Sequence, residues 1–253
     1  MKGERKMANH PQTPKKHAVH SDGLQGKIAI VCASSTGLGF AIARRLAAGG
    51  AQLTIFSRSE ERIRPAAQQI EQETGHAPLW FVGDVCNPQD VKRIVQETVN
   101  ARGGLDILVN NAGGPPAGGF EQFRDEDWLA AHERNLLSVV RFVRESLPYL
   151  KRSQAGSIIN IVSISVKQPI KGLILSNTYR AGVIGLAKTL ADELAPYGIR
   201  VNNLAPGRIA TERIVQLDRF RAQEEKIPVA EVERQSIATI PMGRYGTPEE
   251  FAE

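Results

Sequence analysis

Sulfur is scarce in this chain. Two cysteines, Cys32 and Cys86, stand in 253 residues. That is too few for a disulfide framework and points to a reduced, cytoplasmic setting. Long apolar runs are missing as well. No stretch of eighteen apolar residues occurs, so no membrane-spanning helix is expected. The start is basic, but no apolar core follows it, so no secretory signal is read there. Clustered metal ligands are also wanting. Three of the five histidines, His10, His17 and His20, fall in the first 23 residues with no cysteine or carboxylate cluster beside them, and no metal is expected. The chain has no basic stripe with interleaved aromatics. Its net charge of +5 draws +3 from "MKGERKMANHPQTPKKHAVHSDG", where five Lys or Arg face two acids. The rest is close to neutral, so nucleic acid is excluded as a partner. Residues 1–23 are almost without apolar residues and without periodicity, and a disordered basic leader is expected there.

What is present is a globular body. The chain is 42% hydrophobic and 23% charged, enough to bury a sizeable core. From Gly26 onward, short apolar runs alternate with segments of helical period. The runs are "KIAIVC" (27–32), "QLTIFS" (52–57), "LWFVGD" (79–84), "LDILVN" (105–110), "GSIINIVS" (156–163) and "IRVNNL" (199–204). Strands of continuous apolar character, joined by helices, predict a parallel sheet covered on both faces. Right-handed crossovers then give a single doubly wound, Rossmann-type α/β domain over residues 24–253. The segment "AGGPPAGGFEQF" (112–123) reads as a surface loop above the fourth strand, where a ligand could bind. Cys32 and Cys86 end strands one and three, which are not neighbours in that order, so no bridge is expected.

The first strand runs into "VCASSTGLGFAIARRLA". A strand, a glycine turn and an amphipathic helix form a phosphate-binding arrangement, because glycines admit the backbone to a pyrophosphate and the helix start offers N–H groups. Ala33, Ser35, Thr36, Gly37, Leu38 and Gly39 are the predicted contacts. About 20 residues past the glycines, a carboxylate would accept from a ribose 2′-hydroxyl. Ser57 and Arg58 stand there instead, and a guanidinium suits a 2′-phosphate. NADP(H) is therefore the expected cofactor. Further crevice positions are Asp84 and Val85 after strand three, Asn111, Ala112 and Gly113 in "NNAG", and Pro206, Gly207, Ile209 and Thr211 in "APGRIAT".

Taken together, "ASSTGLG", "NNAG", "NIVS", "IRVNNLAPGRIAT" and "PMGRYGTPEEFA" resemble the short-chain dehydrogenase/reductases, most closely the 3-oxoacyl-carrier-protein reductase type. The resemblance covers about residues 24–253. It implies hydride transfer between a nicotinamide and a small-molecule carbonyl or alcohol substrate, and a homo-oligomer, a dimer or tetramer. It also implies a further strand and helix beyond Glu253. The sequence closes on a well-capped helix start (Thr247 cap, Pro248, Glu250), and a single turn of that kind should fray alone.

The chain departs from the family in two places. The glycine that the family places after its loop threonine is Ala33 here, following Cys32. The family also uses an Asn, a Ser, a Tyr and a Lys four residues after the Tyr. Asn135, seven residues after Trp128, and Ser163, closing "NIVS", match the first two. The tyrosine place is Ser176 and the lysine place is Arg180, the register that keeps "AGVIGL" aligned. Arg180 would also hold cofactor ribose hydroxyls. Tyr179 lies three residues past Ser176, either swinging its hydroxyl into the gap or packing in a subunit contact. Lys167 and Lys171 read as solvated loop lysines. A reductase with an altered proton donor is the leading expectation. A weakly catalytic NADP(H)-binding sensor or structural partner is the alternative.

Overall fold

The computed structural model describes residues 23–253. The leader, apart from Gly23, and the three histidines in it lie outside the described residues. Six strands form one parallel sheet: β1 (Ile28–Val31), β2 (Gln52–Ser57), β3 (Leu79–Val82), β4 (Ile107–Asn110), β5 (Ser157–Ile161) and β6 (Arg200–Leu204). Their order is β3-β2-β1-β4-β5-β6, with every neighbouring pair parallel. This is the doubly wound sheet expected, and its order reverses between β1 and β4, where such sheets open a ligand crevice.

The apolar runs are continuous because both faces are covered. Alternate residues feed two cores. Ile30, Phe56, Leu108 and Ile158 face α3 (Pro88–Arg102), α5 (Ser138–Leu150) and α6 (Ile174–Leu194). Ala29, Val31, Leu53, Ile55, Ile107 and Val109 face α1 (Gly37–Ala48) and α2 (Glu60–Thr74). Phe56 stacks on Phe142 at 5.4 Å between centroids, tying β2 to α5 across one core.

Several boundaries differ from the sequence reading. β1 ends at Val31 and β3 at Val82, so Cys32 and Asp84 lie in the turns beyond. Apolar residues continue past the last ladder bond, which is why the runs look longer than the strands. Both cysteines are free. The helical segment before β5 is not continuous: α4 (Asp125–His132) passes through a π-turn at Glu133–Leu137 before α5 begins. Two further helices, α7 (Glu212–Glu225) and α8 (Val229–Ala238), follow β6.

The closing turn, α9 (Pro248–Ala252), does not stand alone. Thr247 Oγ1 accepts from the Glu250 amide and Glu250 accepts from the Thr247 amide. Phe251 packs on the second core, and Arg44 and Arg45 of α1 pair with Glu249 and Glu253. Tertiary docking holds a turn that helix propensity alone would not. Among the described residues β3 and β6 are the two sheet edges, and no helix is long and apolar enough to cross a membrane.

Candidate active site

The glycine turn depends on two distinct glycine properties. Gly37 has φ +58°, a conformation that side chains resist. At Gly39 a Cβ would lie 2.5 Å from the Ala33 carbonyl oxygen, so only glycine lets α1 approach the loop this closely. Ala33 itself holds φ +48° without being glycine, a strain costing about 1–2 kcal/mol. Asn111 stabilises it by donating to the Cys32 and Ala33 carbonyls, each at 3.2 Å. Thr36 makes no side-chain cap, and no acid stands in the first turn of α1. The helix start is thus left with free donors and partial positive charge, which fits a pyrophosphate. Ser35 and Leu38 are half-buried in the same turn.

Around this turn the other predicted cofactor residues converge from separate strands. Thr211 reaches Gly37, where a Cβ would sit 3.7 Å from its methyl group. Pro206 accepts from the Ile164 amide, joining the turn after β6 to the one after β5. Ile209 bridges to Gly246, while Gly207 is exposed. Asp84 accepts from the Cys86 amide at 2.9 Å, with Val85 buried between them. Ser57 accepts weakly from the Ser59 amide, shaping the end of β2, and Arg58 is exposed there with no salt bridge among the described residues.

Deeper in, Asn135, Arg180, Asn111, Ala112 and Val85 share a narrow cavity of about 10 Å³ with Asn110 and Asn160. Asn135 lies in the π-turn. The bulge turns its side chain to the Gly113 carbonyl, to which it donates at 3.1 Å, and leaves its Oδ1 buried without a partner. Arg180 donates to the carbonyls of Ile161 (2.7 Å) and Ala112 (3.4 Å), bridging the ends of β5 and β4. Burial, and then the nearby charge of Arg213, lower its pKa to about 10. Ser163 caps the short turn after β5, accepting from the Ser165 amide at 3.1 Å. Ser176 is buried one turn before Arg180. Tyr179 points elsewhere, packing edge-on to Trp128 and against His132 of α4. Burial raises its pKa. Lys167 and Lys171 are exposed, as read.

Two features were not legible in sequence. One is a ladder of buried amides in a single register: Asn110 donates to Asn160 and Asn160 donates to Asn203 across β4, β5 and β6. The other is Arg213 on α7, which donates to the Pro115 carbonyl at 2.7 Å inside the expected ligand loop. No cluster of potential metal ligands occurs among the described residues.

Comparison with known proteins agrees with this geometry. Residues 27–221 match the family described as short chain dehydrogenase. A dehydrogenase/reductase SDR family member 4 from Oryctolagus cuniculus is 36% identical over 235 residues, covering 91% of this chain and 85% of that protein. A 3-oxoacyl-(acyl-carrier-protein) reductase from Aquifex aeolicus (strain VF5) is 33% identical, covering 90% and 88%. The crystal structure of L-sorbose reductase from Gluconobacter frateurii, complexed with NADPH and L-sorbose, aligns with a TM-score of 0.84 at 31% identity, covering 91% of this chain and 88% of that one. An actinorhodin polyketide ketoreductase with NADPH aligns at 0.85 and 31% identity, covering 93% and 89%.

Proposed function

The chain belongs to the short-chain dehydrogenase family, and from that premise we propose an NADP(H)-dependent reductase of small carbonyl compounds whose proton donor is not a tyrosine. The observation that carries the reading is Arg180, held between the ends of β4 and β5, one strand over from the point between β1 and β4 where the strand order reverses. Bound nicotinamide would supply the hydride. The chain's own residues must then hold it, orient the carbonyl and manage the proton.

The turn at Gly37 and Gly39 presents backbone donors to the pyrophosphate, and Thr211 closes over it. With Ser57 and Arg58 where an acid would favour NADH, the site favours a 2′-phosphate. Ser163 donates its hydroxyl to the substrate oxygen. Arg180 stabilises the developing alkoxide and holds ribose hydroxyls. Its pKa, although lowered, stays far above neutrality, so it acts as a fixed cation rather than as the acid. The proton is drawn in the end from bulk solvent. Ser176 gives its proton to the alkoxide as it takes one from a water, and that water is replenished from solvent. The free Oδ1 of Asn135 can accept a hydrogen bond from a water of this chain, so the net change is uptake of one solvent proton. A homo-oligomer accords with the exposed small-residue face of α6 at Ala181, Gly182 and Gly185.

The test is titration with NADPH and NADH, followed by a panel of ketones and aldehydes in single turnover. Tight NADPH binding with measurable reduction supports the proposal. Tight binding without reduction of any carbonyl favours the sensor reading, which the replacement of the tyrosine by Ser176 already suggests. Absence of binding sinks both.

A further inference from the structure

Two arginines meet beyond the end of β4. Arg180 on α6 and Arg213 on α7 reach the same short segment beyond β4, Arg180 at the Ala112 carbonyl and Arg213 at the Pro115 carbonyl. The Arg213 guanidinium lies close over Gly114, where a Cβ would meet its Nε and Nη2 at 2.7 Å. Burial lowers the pKa of both groups, and Arg213 lowers that of Arg180 further. Neither enters a salt bridge among the described residues. Arg208, five residues before Arg213, shows the contrast: it is matched by Asp218 at 2.5 Å and by Tyr245 at 3.0 Å.

Two half-buried like charges without a counterion among the described residues are costly, and carbonyl dipoles do not neutralise them. Each guanidinium has five donors. Arg180 uses two of its nitrogens on carbonyls and Arg213 one, which leaves donors for an anion.

We propose that Arg180 and Arg213 together receive a carboxylate of the substrate, so that the compound reduced is an oxo acid rather than a neutral ketone. This rests on the reading of the crevice as a carbonyl-reduction site. The other anion at hand is the cofactor's pyrophosphate. Thr211, however, is the residue that meets the glycine turn, and Arg213 is carried away from it to Gly114 and Pro115. Planar guanidinium forks also match a carboxylate two bonds at a time.

The experiment compares acetoacetate with ethyl acetoacetate, which share the ketone and differ in that the carboxylate of one is a neutral ethyl ester in the other. The intact protein is expected to favour the acid in kcat/KM by roughly 10–100-fold. Arg213→Met should bring the ratio close to one, and Arg213→Lys should restore part of it. Melting temperatures establish that both variants fold, with Arg213→Gln as a second neutral replacement. NADPH affinity should stay within about threefold of the intact protein, because the pyrophosphate contacts are made elsewhere. An unchanged ratio in Arg213→Met overturns the proposal. So does a loss of NADPH affinity of about tenfold or more, which would assign Arg213 to the pyrophosphate. If NADPH binds but neither ketone is reduced, the reductase reading fails by itself. The clamp is then judged by titrating both compounds into the protein loaded with NADP+. Preferential binding of acetoacetate, lost in Arg213→Met, upholds it, and equal binding overturns it.

Discussion

The two halves of the sheet differ in how they treat buried side-chain oxygens, although Arg45 and Arg102 each keep an Nε without a hydrogen bond on the β1–β3 side. On the β1–β3 side each buried hydroxyl is satisfied. Ser34 donates to the Val31 carbonyl and accepts from the Phe56 amide. Thr54 and Thr98 share a hydrogen bond at 2.9 Å, and Thr98 also donates to the Ile94 carbonyl at 2.7 Å. On the β4–β6 side the accounting does not close. Among the described residues, every buried side-chain oxygen without a partner lies at Asn110 or beyond, and two of them, on Asn110 and Asn135, belong to residues lining the crevice. Unmade hydrogen bonds cost about 1–3 kcal/mol each, so a fold keeps them chiefly where a ligand or water completes them. One half is built to be stable, and the other is built to be finished by what it binds.

The strongest way to break that contrast is at Arg180. Arg180→Met should lower single-turnover reduction by about 10²-fold, the scale of losing one donor aimed at a developing oxyanion. The stability of the cofactor-free protein should not fall, because a half-buried cation with no counterion among the described residues is replaced by an apolar chain. The pH dependence follows. Burial holds the group's pKa at about 10, below the ordinary guanidinium range, so the folded state binds that proton less tightly. Arg180 thus costs stability throughout neutral pH, and the cost is relieved only as pH rises through about 10 towards the ordinary guanidinium value. A melting temperature well below that of the parent would mean that the two carbonyl bonds outweigh the half-buried charge. Arg180 would then belong with the structural half.

A smaller effect is expected where the stable half meets solvent. Arg58→Ala should lower NADPH affinity about tenfold and leave NADH affinity unchanged, since a charge-assisted contact to one phosphate is removed. Equal losses for the two dinucleotides would show Arg58 acting on the fold of the β2 turn instead.

The contrast also explains which parts were legible in the sequence. The strands of the stable half could be read because apolar side chains serve both faces, and the glycine turn because its backbone demands particular residues at Gly37 and Gly39. Arg58 is singled out by its distance from that turn, and its contact with a 2′-phosphate is what Arg58→Ala tests. The π-turn at Asn135 was not legible, since the helical period of α4 and α5 runs through it unbroken. Arg213 was hidden for another reason: in "TERIVQLDR" it looks like any arginine in the first turn of a surface helix, and only the folding of α7 against Gly114 gives it a role. Sequence patterns report what lies beneath a residue more readily than what lies across a crevice from it.

Within the stable half, Thr98→Val leaves the Thr54 hydroxyl buried and alone. It should destabilise the protein by about 1–3 kcal/mol in denaturant titration, with NADPH affinity unchanged. Adding Thr54→Val should recover part of that loss, because the pair is then removed together. A single variant as stable as the parent would mean that the hydroxyl pairing contributes nothing there.

The smallest effect is expected at Tyr179, for which the sequence leaves two readings, a hydroxyl swung into the gap or a ring packed in a subunit contact. Its ring lies 6.1 Å from that of Trp128 and 5.7 Å from that of His132, centroid to centroid, against α4 rather than across the ends of β4 and β5. Its phenol is also pushed in the wrong direction, since burial raises a pKa that a proton donor needs lowered. Tyr179→Phe keeps the ring and its packing and removes only the hydroxyl. It should change single-turnover reduction by less than about threefold, whereas loss of a general acid is typically worth 10²–10⁴-fold. Ser176→Tyr with Arg180→Lys, which rebuilds the family's pair one turn apart, should in contrast raise reduction of a simple neutral ketone. If Tyr179→Phe abolishes reduction while the rebuilt pair is inert, the phenol reaches the substrate by moving away from Trp128, and the proton donor lies on the side of α6 that this structure turns towards α4.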